Sequence, residues 1–232
     1  MIELRPFDGL GTFRNDWLHA RYHFSFSEYH DPRRMGWGLL RVWNDDTIRA
    51  RSGFPLHGHR DMEIITYVRK GAISHEDSLG NKGRTAAGDV QVMSAGSGIR
   101  HAEFNQEDED TLLFQIWIET AQKGVPPHWG TRRFPAGERA AKLVPLASGR
   151  EGHGDALPIH QDAAILGATL AEGHEVVHPS AGRRAYLVPS RGAVMVNGVT
   201  VTERSGAAIA EEKEVRIKAV GGPAEIVLAD LP

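Results

Sequence analysis

Hydrophobic positions in this chain come in short runs. They either alternate with polar residues or are rich in β-branched ones, at 39–43, 63–68, 89–93, 112–118, 184–188, 193–196, 215–220 and 225–228. Period-two alternation and β-branched content are the marks of strands, and these runs are too short for buried helices. Glycine (26) and proline (12) punctuate the chain between them. Many short strands with frequent turns predict an all-β barrel or sandwich. The one helical hint, 136–142, predicts a short turn. The stretch 123–130, with its Gly-Val-Pro-Pro core, reads as a connection. A second soft region spans 148–155. The domain change is therefore expected between about 121 and 140.

A faint repeat supports two copies of one unit. Lys70-Gly71-Ala72-Ile73 resembles Arg191-Gly192-Ala193-Val194, and each is followed by a second glycine turn, at Gly88 and at Gly206. Counting back from the aligned glycines sets His57 on His178, His59 on Ser180 and Glu63 on Arg184. Counting forward sets His101 on Ala219 and Glu103 on Gly221. Only the first copy then keeps the ligand set, with His178 the one match in the second.

A length of 232 residues accommodates one large β domain or two of about 100 residues each. Net charge is −3 and the basic residues are scattered, so no nucleic-acid footprint is visible. With no cysteine, disulfides and thiolate metal sites are excluded, and any metal is held by nitrogen and oxygen. No continuous apolar run reaches about 18 residues, and the first residues lack the apolar run of a signal peptide. A soluble, cytoplasmic protein is the expectation.

Candidate chemistry lies in two pairs, His57-Gly58-His59 and His101-Ala102-Glu103. On a strand, residues i and i+2 share a face. Two such strands side by side aim three imidazoles and a carboxylate at one point, a first shell for a divalent transition metal. Glu63 is a rival carboxylate. It shares parity with 57 and 59, but any bulge between them reverses its direction. Gln115 alternates with Leu113 and Trp117, so it either points beside the metal or serves as a cross-strand structural amide. Ser94-Ala-Gly-Ser-Gly98 lacks the Gly-Lys-Ser/Thr of a phosphate loop and reads as the turn that delivers His101. His75 reads as a hydrogen-bonded interior histidine. His178 reads as a remnant or a surface residue, and His19, His30, His128, His153, His160 and His174 have no partner pattern.

The spacing of the two pairs is similar to the two short motifs of the cupin superfamily. The longer runs Gly53–Val68 and Gln91–Asn105 resemble the pirin family, as do His23–Tyr29, Asp31-Pro32, Leu40-Arg41-Val42 and His75–Asn81. The resemblance is dense over about 20–120 and looser afterwards. It implies two tandem cupin, jelly-roll-like β-barrels: a metal-binding one over 1–130 and a degenerate, metal-free one over 131–232. It implies His57, His59, His101 and Glu103 as ligands, with Glu63 structural. It also implies Fe(II) as the metal, although Mn, Ni, Co, Cu or Zn suit the same set.

Two functions follow from the resemblance. One is a dioxygenase similar to quercetin 2,3-dioxygenase, acting on a flavonol-like aromatic with dioxygen, with Glu103 as general base. The other is a redox-responsive regulatory protein whose iron alters the surface shown to a protein partner. A sugar isomerase or small-ligand-binding cupin is a third class, disfavoured by the flanking motifs.

Overall fold

The computed structural model describes residues 1–134 and 136–232. The first half carries β1 (Ile2–Arg5), β2 (Gly11–Arg14), β3 (Leu18–Tyr22), β4 (Leu40–Ile48), β5 (Ser52–His59), β6 (Met62–Lys70), β7 (Ala72–Asp77), β8 (Lys82–Ala86), β9 (Val90–Ser94), β10 (Ile99–Asn105), β11 (Thr111–Glu119) and β12 (His128–Arg132). The second half carries β13 (Val144–Ser148), β14 (Leu157–Pro158), β15 (Ala164–Leu170), β16 (Glu175–Pro179), β17 (Arg184–Val196), β18 (Val199–Val201), β19 (Gly206–Ile209) and β20 (Glu214–Leu231). The all-β expectation holds.

In the first half a seven-stranded sheet, β12-β9-β6-β11-β4-β3-β2, faces a four-stranded sheet, β5-β10-β7-β8. The second half is one nine-stranded antiparallel-dominated sheet centred on β17 and β20, and β1 crosses over to pair with β19. These are cupin jelly rolls. Their sheets curl around a core without closing into hydrogen-bonded barrels.

Apolar layers pack within each half and between them. Leu18, Ala20, Ile48, Val68, Ile73 and Leu113 fill the space between the two sheets of the first half. Leu166, Val176, Leu187, Val194, Val215, Ile217 and Ile226 fill the second. Between the halves, Trp43, Ile65, Phe114, Ile116 and Ile118 pack on Tyr186, Val188, Val227 and Leu231. Strand β11 and the last six residues of β20 bury both faces, so they show as near-continuous apolar runs, while 214–219 of β20 alternate.

Several expectations need correction. Residues 128–132 are not a connection: they form β12, which pairs with β9 through the register Trp129↔Met93. The helical turn is shorter than 136–142 and is a 3-10 turn at Ala136–Arg139. The runs 184–188 and 193–196 are one strand, β17, which bends through bulges between Pro189 and Ala193. Runs 215–220 and 225–228 likewise merge in β20.

The repeat has a backbone basis at its first glycine. Gly71 (φ 74°) and Gly192 (φ 73°) both occupy the left-handed region. A Cβ at Gly71 would lie 2.7 Å from Thr111 Oγ1, and one at Gly192 would collide with the Pro223 carbonyl. The forward count from the second glycines is off by four residues. β16 on β20 sets His178 opposite Val215, as β5 on β10 sets His57 opposite His101. The core residues Val215 and Ile217 therefore stand where His101 and Glu103 stand in the first copy, in place of Ala219 and Gly221.

Candidate metal centre

The site begins with a proline. Pro55 has no N–H to give to a ladder, and β5 bulges there: Phe54 pairs with Glu103, yet His57 pairs with His101, so two residues of β5 oppose one of β10. The bulge brings His57 back onto the inner face beside His101, with His59 two residues on. Their rings form a triangle with centroid separations of 4.5 Å (57–101), 4.8 Å (57–59) and 5.0 Å (59–101). One donor atom from each lies within 4.8 Å of the others.

The tautomers are set from outside the triangle. His57 Nδ1–H donates to the Pro55 carbonyl at 2.8 Å, which leaves the Nε2 lone pair free. His101 Nε2 faces it at 3.1 Å. Two imidazole lone pairs aimed at each other repel unless a cation lies between them. Their spacing suits two nitrogens each about 2.1 Å from one ion at adjacent coordination positions. Behind His101, its Nδ1 lies 3.5 Å from His75 Nδ1, and His75 Nε2–H donates to Asp77 Oδ2 at 2.9 Å. Asp77 is anchored by the N–H groups of Leu79 and Asn81 and by the Asn81 amide. The His75 ring stacks on Trp129 at 4.7 Å and 7°. Thus β12, misread as a connection, buttresses the site.

Glu103 joins through His101. It forms a second group with His75 and His101 and does not fall within the 57–59–101 triangle itself. Its Oε1 accepts from the Gln91 amide at 2.6 Å and its Oε2 from the Gln115 amide at 3.0 Å. Thr66 in turn donates to Gln115 Oε1 at 3.0 Å. Gln115 is therefore a structural amide that also lines the cavity. These residues belong to one polar row running straight across the sheet, Tyr22–Asn44–Gln115–Thr66–Gln91, through the registers of β3, β4, β11, β6 and β9. Glu63 lies elsewhere. Asp61 turns the chain in the left-handed region (φ 49°), which breaks the parity shared with 57 and 59. The Glu63 carboxylate accepts from Ser94 at 3.0 Å and lies 3.6 Å from His160 of the second half.

Burial, then the neighbouring His57 and His75, pushes His101 down to about 3. Burial, then His101 and His57, pushes His59 down to about 4. Both are neutral near pH 7, the form that offers a lone pair to a metal. A cavity of about 200 Å³ opens beside them, walled by Leu18, Phe26, Phe54, Ile64 and Trp117. On its floor, burial and the charges of Asp45 and Glu103 hold the Asp46 carboxyl well above the ordinary carboxylate range. Sequence reasoning missed Asn44, Asp46, Asp77, Gln91 and Trp129. Alternation along β4 and β9 was the available signal for the inward-facing Asn44, Asp46 and Gln91.

Residues 4–118 match the Pirin family model, and residues 146–231 match the model described as quercetinase C-terminal cupin domain. A pirin-like protein of Caulobacter vibrioides is 57% identical over 231 residues, covering 99% of each chain. The chain belongs to the pirin family. A pirin relative named quercetin 2,3-dioxygenase, from Escherichia coli, is 41% identical over 100% of this chain and 99% of its own. The crystal structure of a bacterial pirin from Escherichia coli in complex with nickel(II) superposes with a TM-score of 0.92, at 40% identity, over 100% of this chain and 99% of that one. The donor set of this pirin, three imidazoles with an adjoining carboxylate, fits a single divalent ion of the same kind. No helix among the described residues is long and apolar enough to cross a membrane.

Proposed function

We propose that this pirin is a metal-dependent dioxygenase of the quercetin 2,3-dioxygenase type. It would open the central ring of a flavonol with dioxygen, placing both oxygen atoms in the ring-opened ester and releasing carbon monoxide. The observation that carries the reading is the convergence of three imidazoles on the wall of an apolar, aromatic-lined cavity. The relatives' names and the nickel complex of the neighbouring pirin support it.

His57, His59 and His101 hold the ion through nitrogen, and Glu103 completes the set. Fe(II) is the proposed metal, and the same donors accept Mn, Ni, Co, Cu or Zn. When bound, the ion supplies Lewis acidity toward an enolic hydroxyl and a partner for dioxygen. The residues do the rest. Phe26, Phe54 and Trp117 exclude water and hold a flat ring. Glu103, with each oxygen already given one amide N–H, keeps lone pairs free to take the hydroxyl proton as general base. Gln91 and Gln115 keep that carboxylate oriented. In this reading residues 131–232 are the degenerate, metal-free copy that covers the outer face of the first.

The test is turnover of quercetin by metal-reconstituted protein with and without oxygen, paired with elemental analysis of protein purified without added metal. Oxygen-dependent turnover is expected, with a loss of at least about a hundredfold in His57→Ala and His101→Ala. Oxygen-independent disappearance of quercetin, or equal rates in the variants, would overturn the assignment.

A further inference from the structure

Two polar side chains in the cavity have no partner. Asn44 and Asp46 alternate on β4, so both face inward beside Gln115 and Leu113 of β11. They are 3% and 2% exposed. Asn44 Oδ1 and Asp46 Oδ1 are buried without a hydrogen bond among the described residues. Both residues line the same cavity as the histidine triangle and Glu103.

A buried acceptor left unsatisfied destabilises a fold, and native proteins keep very few. The contrast along the polar row is informative. Gln115, Thr66 and Gln91 spend their capacity on Glu103 and on one another, while Asn44, at the Tyr22 end, and Asp46, two residues on, spend none. A structural pair at these positions would be bonded to each other or to neighbouring strands. A leucine pair would pack as well against Leu18, Ile48 and Leu113. Unmet hydrogen-bonding groups at a cavity floor are the signature of a ligand that brings the missing donors.

We infer that Asn44 and Asp46 form a hydroxyl-binding subsite, which selects a polyhydroxylated aromatic whose remote hydroxyls donate to Oδ1 of each. The inference rests on the cavity's being the substrate site. It narrows the substrate class, because the walls are apolar and aromatic, and Asn44 and Asp46 present unpaired acceptors to a ring in addition to Glu103. The volume of about 200 Å³ lies below the range of roughly 300–1,000 Å³ usual for sites that enclose a whole drug-sized ligand. One hydroxylated ring system enters, and the remainder of a larger molecule lies outside the cavity.

The experiment uses full-length protein loaded with Zn(II) under anaerobic conditions, so that binding is read without turnover. Quercetin, hydroxylated on every ring, and 3-hydroxyflavone, which keeps only the hydroxyl next to the ketone, are titrated against tryptophan fluorescence, since Trp117 lines the cavity. Wild type is expected to favour quercetin by about tenfold or more in Kd. In Asn44→Leu/Asp46→Leu the preference collapses to within about twofold, with 3-hydroxyflavone affinity and zinc content kept and Tm equal or higher. The conservative Asp46→Asn, which keeps an acceptor at Oδ1, preserves the preference. An undiminished preference in the leucine variant, absence of binding by either compound, or a fall in Tm or zinc content in that variant overturns the inference. A preference seen here without oxygen-dependent turnover leaves the subsite standing and removes the dioxygenase reading. Turnover without a preference does the reverse.

Discussion

At the scale of single residues, the centre depends on which nitrogen of each histidine carries its proton. His101 offers Nε2 to the triangle only if its Nδ1 is protonated, and His75 receives that proton's hydrogen bond because Asp77 holds the His75 proton on Nε2. A ligating imidazole is oriented and made more basic by such a partner. His75→Leu keeps much of the packing against Trp129 and removes the acceptor. Metal affinity is expected to fall about tenfold to a hundredfold in chelator competition, and Tm falls too, since the buried His101 Nδ1–H loses its acceptor. The ligand-type residues His57, His59, His101 and Glu103 were legible because i and i+2 on a strand share a face. Asp77 and Gln91 were not. Asp77 matters only through the contact of His75 with His101 on the paired strand β10, and Gln91 reaches Glu103 from the facing sheet, and local sequence encodes neither.

At the scale of elements, the bulge of β5 matters most. Gly53 pairs with Phe104 just before the bulge, and a Cβ there would collide with the Glu103 carbonyl. Gly53→Ala therefore forces β5 away from β10 at the place where His57 must meet His101. A loss of about 2 kcal/mol in urea unfolding is expected, together with weakened metal binding. The strands visible in the sequence, β4, β6, β9, β11, β17 and β20, all serve apolar layers, although β15, which serves two of them, was passed over. β5 was legible only at its His57-Gly58-His59 end, and β12 was hidden because its His-Trp-Gly-Thr-Arg sequence shows no apolar alternation.

At the scale of the whole molecule, the second half acts on the first through a buried interface. Asp45 is fully buried and accepts from both Arg69 and Arg204, one from each half. Asp45→Ala leaves two arginines unpaired and is expected to cost roughly 3–5 kcal/mol in chemical unfolding. His23, bonded through Nδ1 to the Tyr186 hydroxyl at 2.8 Å, is pushed down to about 3 by burial, then by Arg5, Arg34 and Arg204. Its folded pKa lies below its unfolded value of 6.5, so on acidification the unfolded chain takes the proton first. The associated stability is full above about 6.5 and is lost as pH falls through about 3. His23→Gln is expected to flatten that part of the urea-unfolding profile by an amount on the order of a few kcal/mol.

The sequence by itself determined the fold class and the family, and it named the three histidines that the structure brings together. Period-two alternation, glycines in left-handed turns and short motifs are local properties, and they survive without any knowledge of what packs where. Only the tertiary structure decided where the carboxylates go. One left-handed residue at Asp61 sends Glu63 toward His160, and one bulge at Pro55 seats His57 against His101 with Glu103 behind. The fate of Asn44 and Asp46 was decided there too. A side chain's lack of partners is a property of everything that surrounds it, and no stretch of sequence contains that.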